Sequence, residues 1–262
     1  ALLIGSPSFA AEVMENHPIA AERFTIVPGA TDVERFRPAA GRRPGDLQDP
    51  PVLLYHGRVD ARKGVLDLLE ACAILRADGV AQRLLISGIG PDLELVRRRV
   101  TELGLDSAVE VLGAVPYEQA HEVYARGDIF LSPTYAEGFS NTILEAMASG
   151  LPIVSTRAVG VVDCLEDGRD ALLVPPRDAD ALAGAIARML DDTALRQRLA
   201  RTALTEVREL YSWQAVGRQI QGVYADLTGT TPDTRWTGLY DPRTTHEQAD
   251  PSCRFRSAPH LL

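Results

Sequence analysis

The sequence predicts an α/β fold in which a Rossmann-like parallel sheet carries helices on both of its faces. From residue 52 onward, short runs rich in Val, Ile and Leu alternate with longer stretches of helical periodicity. Strands of this composition, joined by helices of this length, are typical of a parallel sheet that is covered on both sides. At 262 residues the chain is long enough to bury a complete core, as one large domain or two small ones.

The predicted elements alternate in order along the chain. Strands are predicted at 52–56, 84–87, 109–112, 129–131, 153–155 and 172–174, and helices at 65–76, 92–103, 117–125, 141–149, 179–190, 193–209 and 213–227. Ligands of such sheets bind outside the carboxyl ends of the strands. The loops that follow the first four strands are therefore expected to face one crevice.

Residues 1–38 depart from this pattern. They contain a predicted strand at 2–5, a helical stretch, a second short strand at 24–27 and a Pro-Gly turn. Because a lone strand and helix cannot form a domain, we interpret 1–38 as the end of a domain whose body is missing, together with a crossover. The Pro- and Gly-rich residues 39–50 are interpreted as a linker, 51–227 as the Rossmann-like domain, and 228–262 as an irregular tail that is flexible or docks in extended form.

Charge and composition exclude several classes of protein. The net charge of −9 argues against nucleic acid as a partner, since binding to a phosphate backbone requires a basic face. No apolar stretch approaches the length of a membrane span, and the opening residues lack the basic flank of a signal peptide. The three cysteines are widely separated, so neither a disulfide framework nor a metal site is indicated. We expect a cytoplasmic protein, with peripheral contact to a membrane left open.

One loop is distinguished by its cations. Of the 27 basic residues 26 are Arg, and the single Lys, Lys63, lies with Gly57 and Arg58 between the strand at 52–56 and the helix at 65–76. The free N–H groups and the dipole at a helix start favour an anion there. Lys supplies a point charge and Arg a bidentate fork, so the pair indicates a diphosphate. The alternative is that Lys63 survives by drift and has no such role.

Two carboxylates accompany the predicted helix at 141–149. Glu137 lies in the loop before this helix and Glu145 inside it, while Ser140 or Asn141 can cap its start. Free N–H groups at that start would point into the crevice between the carboxylates, where an anion could bind while each Glu accepts hydrogen bonds from a polyol. This combination indicates a phosphorylated sugar. The alternative is an ordinary helix-surface charge at Glu145 and a loop residue at Glu137 that favours the helix dipole.

Two other motifs point to competing functions and fail on inspection. Asp178-Ala179-Asp180 has the letters of a metal-binding Asp-x-Asp, but it opens the helix at 179–190, so capping explains it. Gly88-Ile89-Gly90 begins like a dinucleotide fingerprint, but Leu93 stands where the third glycine is required. We therefore expect neither a metal nor a cofactor.

Three features of the sequence together resemble the donor-binding, C-terminal half of retaining GT-B glycosyltransferases of family four. They are Gly57-Arg58, Lys63-Gly64 and the run EGFSNTILEAMASGLPIV. The resemblance covers about residues 6–227. Residues 6–38 resemble the crossover between that family's two Rossmann-like domains, and Tyr211-Ser212-Trp213 resembles the start of its closing helix. The resemblance implies transfer of a sugar with retention and without a metal, from a UDP- or GDP-sugar to an unidentified acceptor.

The resemblance also implies a role for each site residue. Arg58 and Lys63 would hold the donor diphosphate as catalytic cations, Glu137 would bind hydroxyls of the transferred sugar, and Glu145 would bind those of the ribose. Backbone around the donor would come from three strand ends and the helix start: Gly57, Gly88, Val115, Gly138, Phe139, Ser140 and Asn141. Ser140-Asn141 stands where many members have Gly-Leu, which leaves the donor sugar open.

A non-catalytic nucleotide-sugar-binding module is the alternative function. In the family that the chain resembles, the N-terminal half carries the acceptor site, and catalysis requires the two halves to close over the donor. Under our interpretation of residues 1–38, that acceptor domain is absent from this chain. The sequence thus predicts donor binding, with catalysis dependent on the missing half.

Overall fold

The computed structural model describes residues 2–229, in which two parallel sheets form. A small sheet pairs β1 (Leu2–Ile4) with β2 (Phe24–Ile26). The strands of the main sheet are β3 (Val52–His56), β4 (Arg83–Ser87), β5 (Val109–Gly113), β6 (Ile129–Ser132), β7 (Ile153–Thr156) and β8 (Leu172–Val174). Each of these six lies within about one residue of its predicted bounds, and their spatial order is β5-β4-β3-β6-β7-β8.

The main sheet is buried on both faces, as the runs of Val, Ile and Leu predict. Leu53 and Leu54 have no exposed surface, although successive side chains of a strand point to opposite faces. Leu54 belongs to one core together with Phe130, and Leu53 belongs to a second core together with Leu68. The predicted α/β class is therefore confirmed.

Helices supply the two layers that cover the main sheet. The α-helices of the described residues are α1 (Pro7–Asn16), α2 (Val65–Ala77), α3 (Leu93–Glu102), α4 (Ala120–Arg126), α5 (Asn141–Ala148), α6 (Ala179–Asp191), α7 (Thr193–Leu210) and α8 (Trp213–Thr228). Helices α2, α3 and α6 pack with Leu53, α4 and α5 pack with Leu54, and α7 contributes to both cores.

One predicted helix is divided in two. The segment expected to be helical at 117–125 begins with a 3-10 turn (Tyr117–Gln119) before α4 starts. The N–H of Gln119 donates to the carbonyl of Pro116 at 2.9 Å, which is the tighter bonding that is frequent where an α-helix begins.

Residues 2–38, called the head below, pack against the domain of the main sheet. Ser6 Oγ donates to the carbonyl of Gly138 at 3.0 Å, and the hydroxyl of Ser8 is bonded to the carboxylate of Asp163. The head thus touches the loop that precedes α5, where four predicted site residues lie, at positions 137–140.

The segment 39–50 has neither helix nor strand, but side chains fix it to the same domain. Arg42 pairs with the buried carboxylate of Asp128. Arg196 Nε donates to the carbonyl of Gly45 at 2.8 Å, and this guanidinium is itself almost fully buried. The path from the head to β3 is therefore held at two separate points.

Helix α8 begins where the resemblance places the closing helix. Ser212 Oγ accepts from the N–H of Ala215 at 3.2 Å and caps it, and the N–H of Trp213 donates to the carbonyl of Thr31 in the head. The helix ends at Thr228, one residue inside the predicted tail. The rest of that tail, from residue 230 on, lies outside the described residues.

Candidate functional site

The strand order of the main sheet reverses between β3 and β6. The chain runs outward from β3 through β4 to β5, then returns and places β6 on the other side of β3. In open parallel sheets, ligands bind in the crevice at such a reversal, outside the carboxyl ends of the strands. The loop 57–64 after β3 and the loop 133–140 after β6 form the walls. A Cβ at Gly64 would lie 1.8 Å from the carbonyl oxygen of Pro133, so glycine permits this close approach.

Lys63 and Glu137 join the two walls. Lys63 Nζ donates to Glu137 Oε1 at 2.7 Å, although 74 residues separate them in the sequence. Beside this pair, the N–H of Tyr135 donates to the carbonyl of Arg62 at 2.9 Å. Two residues that were predicted in separate loops thus form one charged pair at the reversal of strand order.

The other cations of the loop 57–64 are shared with Asp60. Arg62 donates to both carboxylate oxygens of Asp60, at 3.1 and 2.9 Å, and Arg58 Nε lies 3.3 Å from one of them. The hydrogen bonds from Arg62 hold the pKa of Asp60 well below its usual range. The side chain of Arg58 remains 53% exposed. The guanidinium of Arg62 is therefore held by Asp60, whereas Arg58 and Lys63 have further N–H donors that can bind a ligand.

The backbone N–H groups of residues 61–64 all donate hydrogen bonds to other groups of the protein. Those of Ala61 and Arg62 donate to the carboxylates of Asp92 and Asp60 at 2.7 and 2.9 Å, and the next two donate to carbonyls of the same turn. Free donors were expected at the helix start; those of 61–64 are bonded because a 3-10 turn (Ala61–Lys63), capped by Asp60, precedes α2, which begins at Val65. An anion at residues 61–64 must therefore be held by side chains.

Free backbone donors lie instead in the loop before α5. Among residues 2–229, no acceptor receives the backbone N–H groups of Gly138, Phe139, Ser140 or Asn141. The side chain of Ser140 does not cap α5, because its hydroxyl lies 3.2 Å from the hydroxyl of Thr142. Unbonded N–H groups at a helix start can hold an anion.

The head and the end of α7 pack on this loop from the outside. The Phe139 ring lies 5.8 Å from the ring of Tyr211, and a Cβ at Gly5 would lie 3.1 Å from Phe139 Cβ. A Cβ at Gly29 would collide with the side chains of Phe139 and Asn141. Two glycines of the head therefore allow it to approach the predicted site residues.

Glu145 is buried in α5, with 8% of its surface exposed. Its Oε2 accepts a hydrogen bond from the hydroxyl of Tyr124 at 2.7 Å. Burial raises the pKa of Glu145 to about 7, and the Tyr124 hydroxyl opposes that rise. The alternative of a helix-surface charge at Glu145 is wrong, because this position of α5 faces inward.

The remaining predicted site residues lie at the carboxyl ends of β3, β4 and β5. Gly57 and Gly88 follow β3 and β4, and a Cβ at Gly88 would lie 1.8 Å from the carbonyl oxygen of Gly57. Gly88 has a φ of 132°, which a side chain disfavours. Val115 follows β5 and is partly buried against the core of Leu54. These three loops are adjacent because their strands are adjacent.

Sequence reasoning missed three polar residues that shape this site. Asp60 organises the loop 57–64, Tyr124 contacts Glu145, and His56 Nδ1 lies 3.0 Å from Ser87 Oγ. Burial lowers the pKa of His56. In the sequence Tyr124 belongs to a helical pattern and His56 ends an apolar strand, so both resemble ordinary core residues. No local signal distinguishes them.

The competing sequence features have structural explanations. The side chain of Asp178 accepts from the N–H of Ala181 at 2.8 Å, so it caps α6 as predicted. Across the described part of the chain, no group of three or more His, Cys, Asp or Glu side chains is arranged to hold a metal ion. Nor does any helix of residues 2–229 have the length and apolar character needed to cross a membrane. Cys72 and Cys164 are buried free thiols, and Cys253 lies outside the described residues.

Comparison with known proteins places the chain among sugar transferases. A family model described as "Glycosyl transferases group 1" matches residues 50–192. The alpha-D-kanosaminyltransferase of Streptomyces kanamyceticus is 33% identical over 196 residues, which are 75% of this chain and 50% of the relative. The MMP alpha-(1->4)-mannosyltransferase of Mycolicibacterium hassiacum is 30% identical over 224 residues, 85% of this chain and 53% of the relative. The chain thus spans about half the length of the curated relatives it matches.

Solved structures show the same fold. Sucrose-phosphate synthase from Thermosynechococcus elongatus matches with a TM-score of 0.76 and 29% identity, over 87% of this chain and 58% of that one. Anabaena HepE in complex with UDP matches with a TM-score of 0.75 and 20% identity, over 86% of this chain and 63% of that one.

Proposed function

The chain belongs to the group 1 glycosyltransferases, as a C-terminal GT-B domain of that family, and on that premise we propose that it binds the donor in a hexosyl transfer. The donor is a UDP- or GDP-sugar, the transfer retains the anomeric configuration without a metal ion, and the acceptor is a saccharide, lipid or small molecule. The observation that carries this proposal is the contact between Lys63 and Glu137, which sets a cation for phosphate beside a carboxylate for sugar.

The two cations act on the leaving group. When the bond between the anomeric carbon and the phosphate oxygen breaks, the electron pair stays on the phosphate and the sugar becomes oxocarbenium-like. Arg58 and Lys63 stabilise this developing charge more strongly than they stabilise the intact donor. The ammonium of Lys63 has three N–H donors, of which Glu137 uses one. Lys63 can therefore hold phosphate while it orients Glu137.

The two carboxylates bind hydroxyls. Glu137, whose side chain is 15% exposed, accepts hydrogen bonds from the transferred sugar, and the buried Glu145 accepts them from the ribose. The free N–H groups at 138–141 bind the distal phosphate and the sugar between these two anchors. The backbone of Gly57, Gly88 and Val115 lines the nucleoside. The complex of Anabaena HepE with UDP makes a UDP-sugar the first ligand to test.

Exchanging each carboxylate for its amide should separate the two roles. Glu145→Gln is expected to weaken UDP and UDP-glucose alike, because both ligands carry the ribose. Glu137→Gln is expected to leave UDP almost unchanged and to weaken only UDP-glucose, by about tenfold, since a hydrogen bond to a charged group contributes about 1.5–3 kcal/mol. Isothermal calorimetry of both variants with both ligands measures this. Equal losses for UDP and UDP-glucose in Glu137→Gln would contradict the assignment.

A non-catalytic binding module is the second candidate, because all the site residues that we assign bind the donor. We propose that residues 51–227 bind the donor, that 39–50 connect them to the head, and that the head is the crossover from an acceptor domain. Orientation of the acceptor at the anomeric carbon supplies much of the rate, and our assignment gives residues 51–227 to the donor and none of them to the acceptor.

The 262-residue chain alone is therefore expected to bind UDP or UDP-glucose and to transfer no sugar at a useful rate. Thermal shift with both ligands tests binding, since a ligand of the folded state raises the melting temperature. Release of UDP from UDP-glucose with a panel of acceptors tests transfer. Transfer that appears only when an N-terminal acceptor domain is added supports the transferase. Binding without transfer in that combination favours the binding module, and robust transfer by the chain alone contradicts the division of roles.

A further inference from the structure

Tyr124 contacts the donor-site carboxylate from inside the protein. Its side chain has no exposed surface. Its hydroxyl donates to Glu145 Oε2 at 2.7 Å and lies 3.2 Å from the carbonyl oxygen of Thr142. A hydrogen bond to a charged acceptor is shorter and stronger than one to a neutral acceptor, so the phenol proton is directed mainly at Glu145.

Aromatic neighbours fix the ring of Tyr124. Phe36 meets this ring edge-on at 5.5 Å, His56 lies at 5.2 Å and Phe130 at 5.6 Å, measured between ring centroids. Phe36 belongs to the head, while His56 and Phe130 belong to β3 and β6, the two strands at the reversal of strand order. A close-packed interior leaves such a ring no room to swing, so its hydroxyl occupies one position relative to α5.

The two oxygens of Glu145 have different surroundings. Oε2 is bonded to Tyr124. Within residues 2–229, Oε1 has no hydrogen-bond partner, and it is not among the fully enclosed unpaired atoms of that range. Oε1 therefore keeps some exposed surface, through which it can accept hydrogen bonds from a ligand.

We propose that Tyr124 is a positioning residue for nucleotide binding, which holds Glu145 in place so that Oε1 accepts hydrogen bonds from the ribose. This inference rests on the proposed function, which assigns Glu145 to the ribose. Tyr124 acts through Glu145 and does not touch the donor. The inference is based on the geometry of Tyr124. Its phenol is fully buried, its ring is fixed, and its hydroxyl is bonded to Oε2 of Glu145, which leaves Oε1 for the ligand.

Titration of Glu145 makes this role measurable. Burial raises the pKa of Glu145 to about 7, and the hydroxyl of Tyr124 counteracts that rise. The carboxylate is a better acceptor than the neutral acid, so donor affinity should fall as the pH falls through about 7. Without the phenol hydroxyl the pKa of Glu145 rises further, and the same loss of affinity should begin at a higher pH.

The other ionisable groups near this pair keep one charge state around neutral pH. Burial, and next the charge of Glu145, raise the pKa of Tyr117, which therefore stays neutral. Arg35, whose guanidinium lies 5.2 Å from the centre of the Tyr117 ring, stays charged. Burial lowers the pKa of His56, so its imidazole stays neutral. His121 lies one turn before Tyr124 on α4 and is common to the unchanged chain and Tyr124→Phe, so a difference between their pH profiles can be attributed to Glu145.

The test is Tyr124→Phe, which keeps the ring and its packing and removes only the hydroxyl. UDP-glucose and GDP-mannose are titrated calorimetrically between about pH 6 and pH 9. Free UDP is avoided because a terminal phosphate itself titrates at about pH 6. We expect the midpoint of the affinity profile to move up by about one to two pH units, with affinity about tenfold lower at about pH 7 and nearly equal at the alkaline end.

Two further variants distinguish positioning from a general structural effect. Tyr135→Phe also removes a phenol that donates to a carboxylate, Asp67 Oδ2 at 2.8 Å, and should leave the midpoint in place. In a Glu145→Gln background, Tyr124→Phe should have no further effect on the pH profile, because the group through which it acts no longer titrates.

The possible results separate this inference from the proposed function. An unchanged midpoint in Tyr124→Phe, or an equal loss of affinity at every pH, overturns the positioning role and leaves donor binding intact. Failure of the unchanged chain to bind either sugar nucleotide contradicts the proposed function, and the inference falls with it. A midpoint that moves in Tyr124→Phe and stays in Tyr135→Phe supports the inference.

Discussion

Replacing Lys63 with Ala is expected to lower the affinity for UDP about ten- to hundredfold and to leave the affinity for uridine unchanged. The physical reason is that the ammonium contacts Glu137 and, under the proposed function, the donor phosphate but not the nucleoside, and a hydrogen bond to a charged group contributes about 1.5–3 kcal/mol. Arg58→Ala should behave in the same way, since its guanidinium is half-exposed at the crevice. Calorimetry with UDP or GDP against uridine or guanosine measures the difference.

Arg62→Ala is the matched control for these two variants. Arg62 lies next to Lys63 in the sequence, but its guanidinium is bonded to Asp60 and its side chain is 67% exposed. Exposed ion pairs contribute about 0–1 kcal/mol, so a small effect on UDP is expected. A loss of UDP affinity in Arg62→Ala as large as in Lys63→Ala would show that the loop acts through its overall charge. Equal losses for UDP and uridine in Lys63→Ala would remove Lys63 from the phosphate site.

Asp128→Ala is expected to have the largest effect on stability, a loss of about 3 kcal/mol or more in the free energy of unfolding. The side chain of Asp128 has no exposed surface. It accepts from the N–H of Val52 at 2.6 Å and from the N–H of Gln48 at 3.2 Å, and it pairs with Arg42. Its removal leaves a buried donor at the start of β3 without its acceptor, and it leaves the partly buried Arg42 guanidinium without a counter-charge, bonded only to the carbonyls of Gly127 and Asp46.

Urea unfolding measures this loss as a lower midpoint at an unchanged slope. Asp128→Asn serves as the control, because the amide keeps one acceptor for Val52 and loses the charge that pairs with Arg42. It should fall between the wild type and Asp128→Ala. A midpoint for Asp128→Ala close to that of the wild type would mean that segment 39–50 is not fastened to the domain in solution.

The sequence could predict the elements of the main sheet because burial on both faces leaves a local signature. Strands β3 to β8 are short and apolar at most of their buried positions, and the helices between them have amphipathic or fully apolar patterns. The 3-10 turn before α4 could not be predicted in this way. It differs from an α-helical turn only in which carbonyl accepts each N–H.

The candidate residues could be predicted because each lies in a loop at the carboxyl end of a strand, or at the start of the helix that follows. The sequence itself identifies the cations, glycines and carboxylates of segments 57–64 and 137–145. The resemblance to a family then predicts which part of the donor each of them binds. The sequence could not show which of these groups are free. Asp60 binds Arg62 and the turn occupies the amides at 61–64, both of which depend on backbone conformation.

The sequence alone determined the α/β class, the bounds of strands and helices, the family and the identity of the candidate residues, because these depend on neighbouring positions and on short motifs. Only the tertiary structure decided that Lys63 meets Glu137, that Glu145 is buried against Tyr124, and that segment 39–50 is fastened by Asp128. Each of these contacts joins groups from elements far apart in the chain. The contacts of Lys63 and of Asp128 exist because β6 is placed beside β3 at the reversal of strand order, which no local pattern of residues specifies.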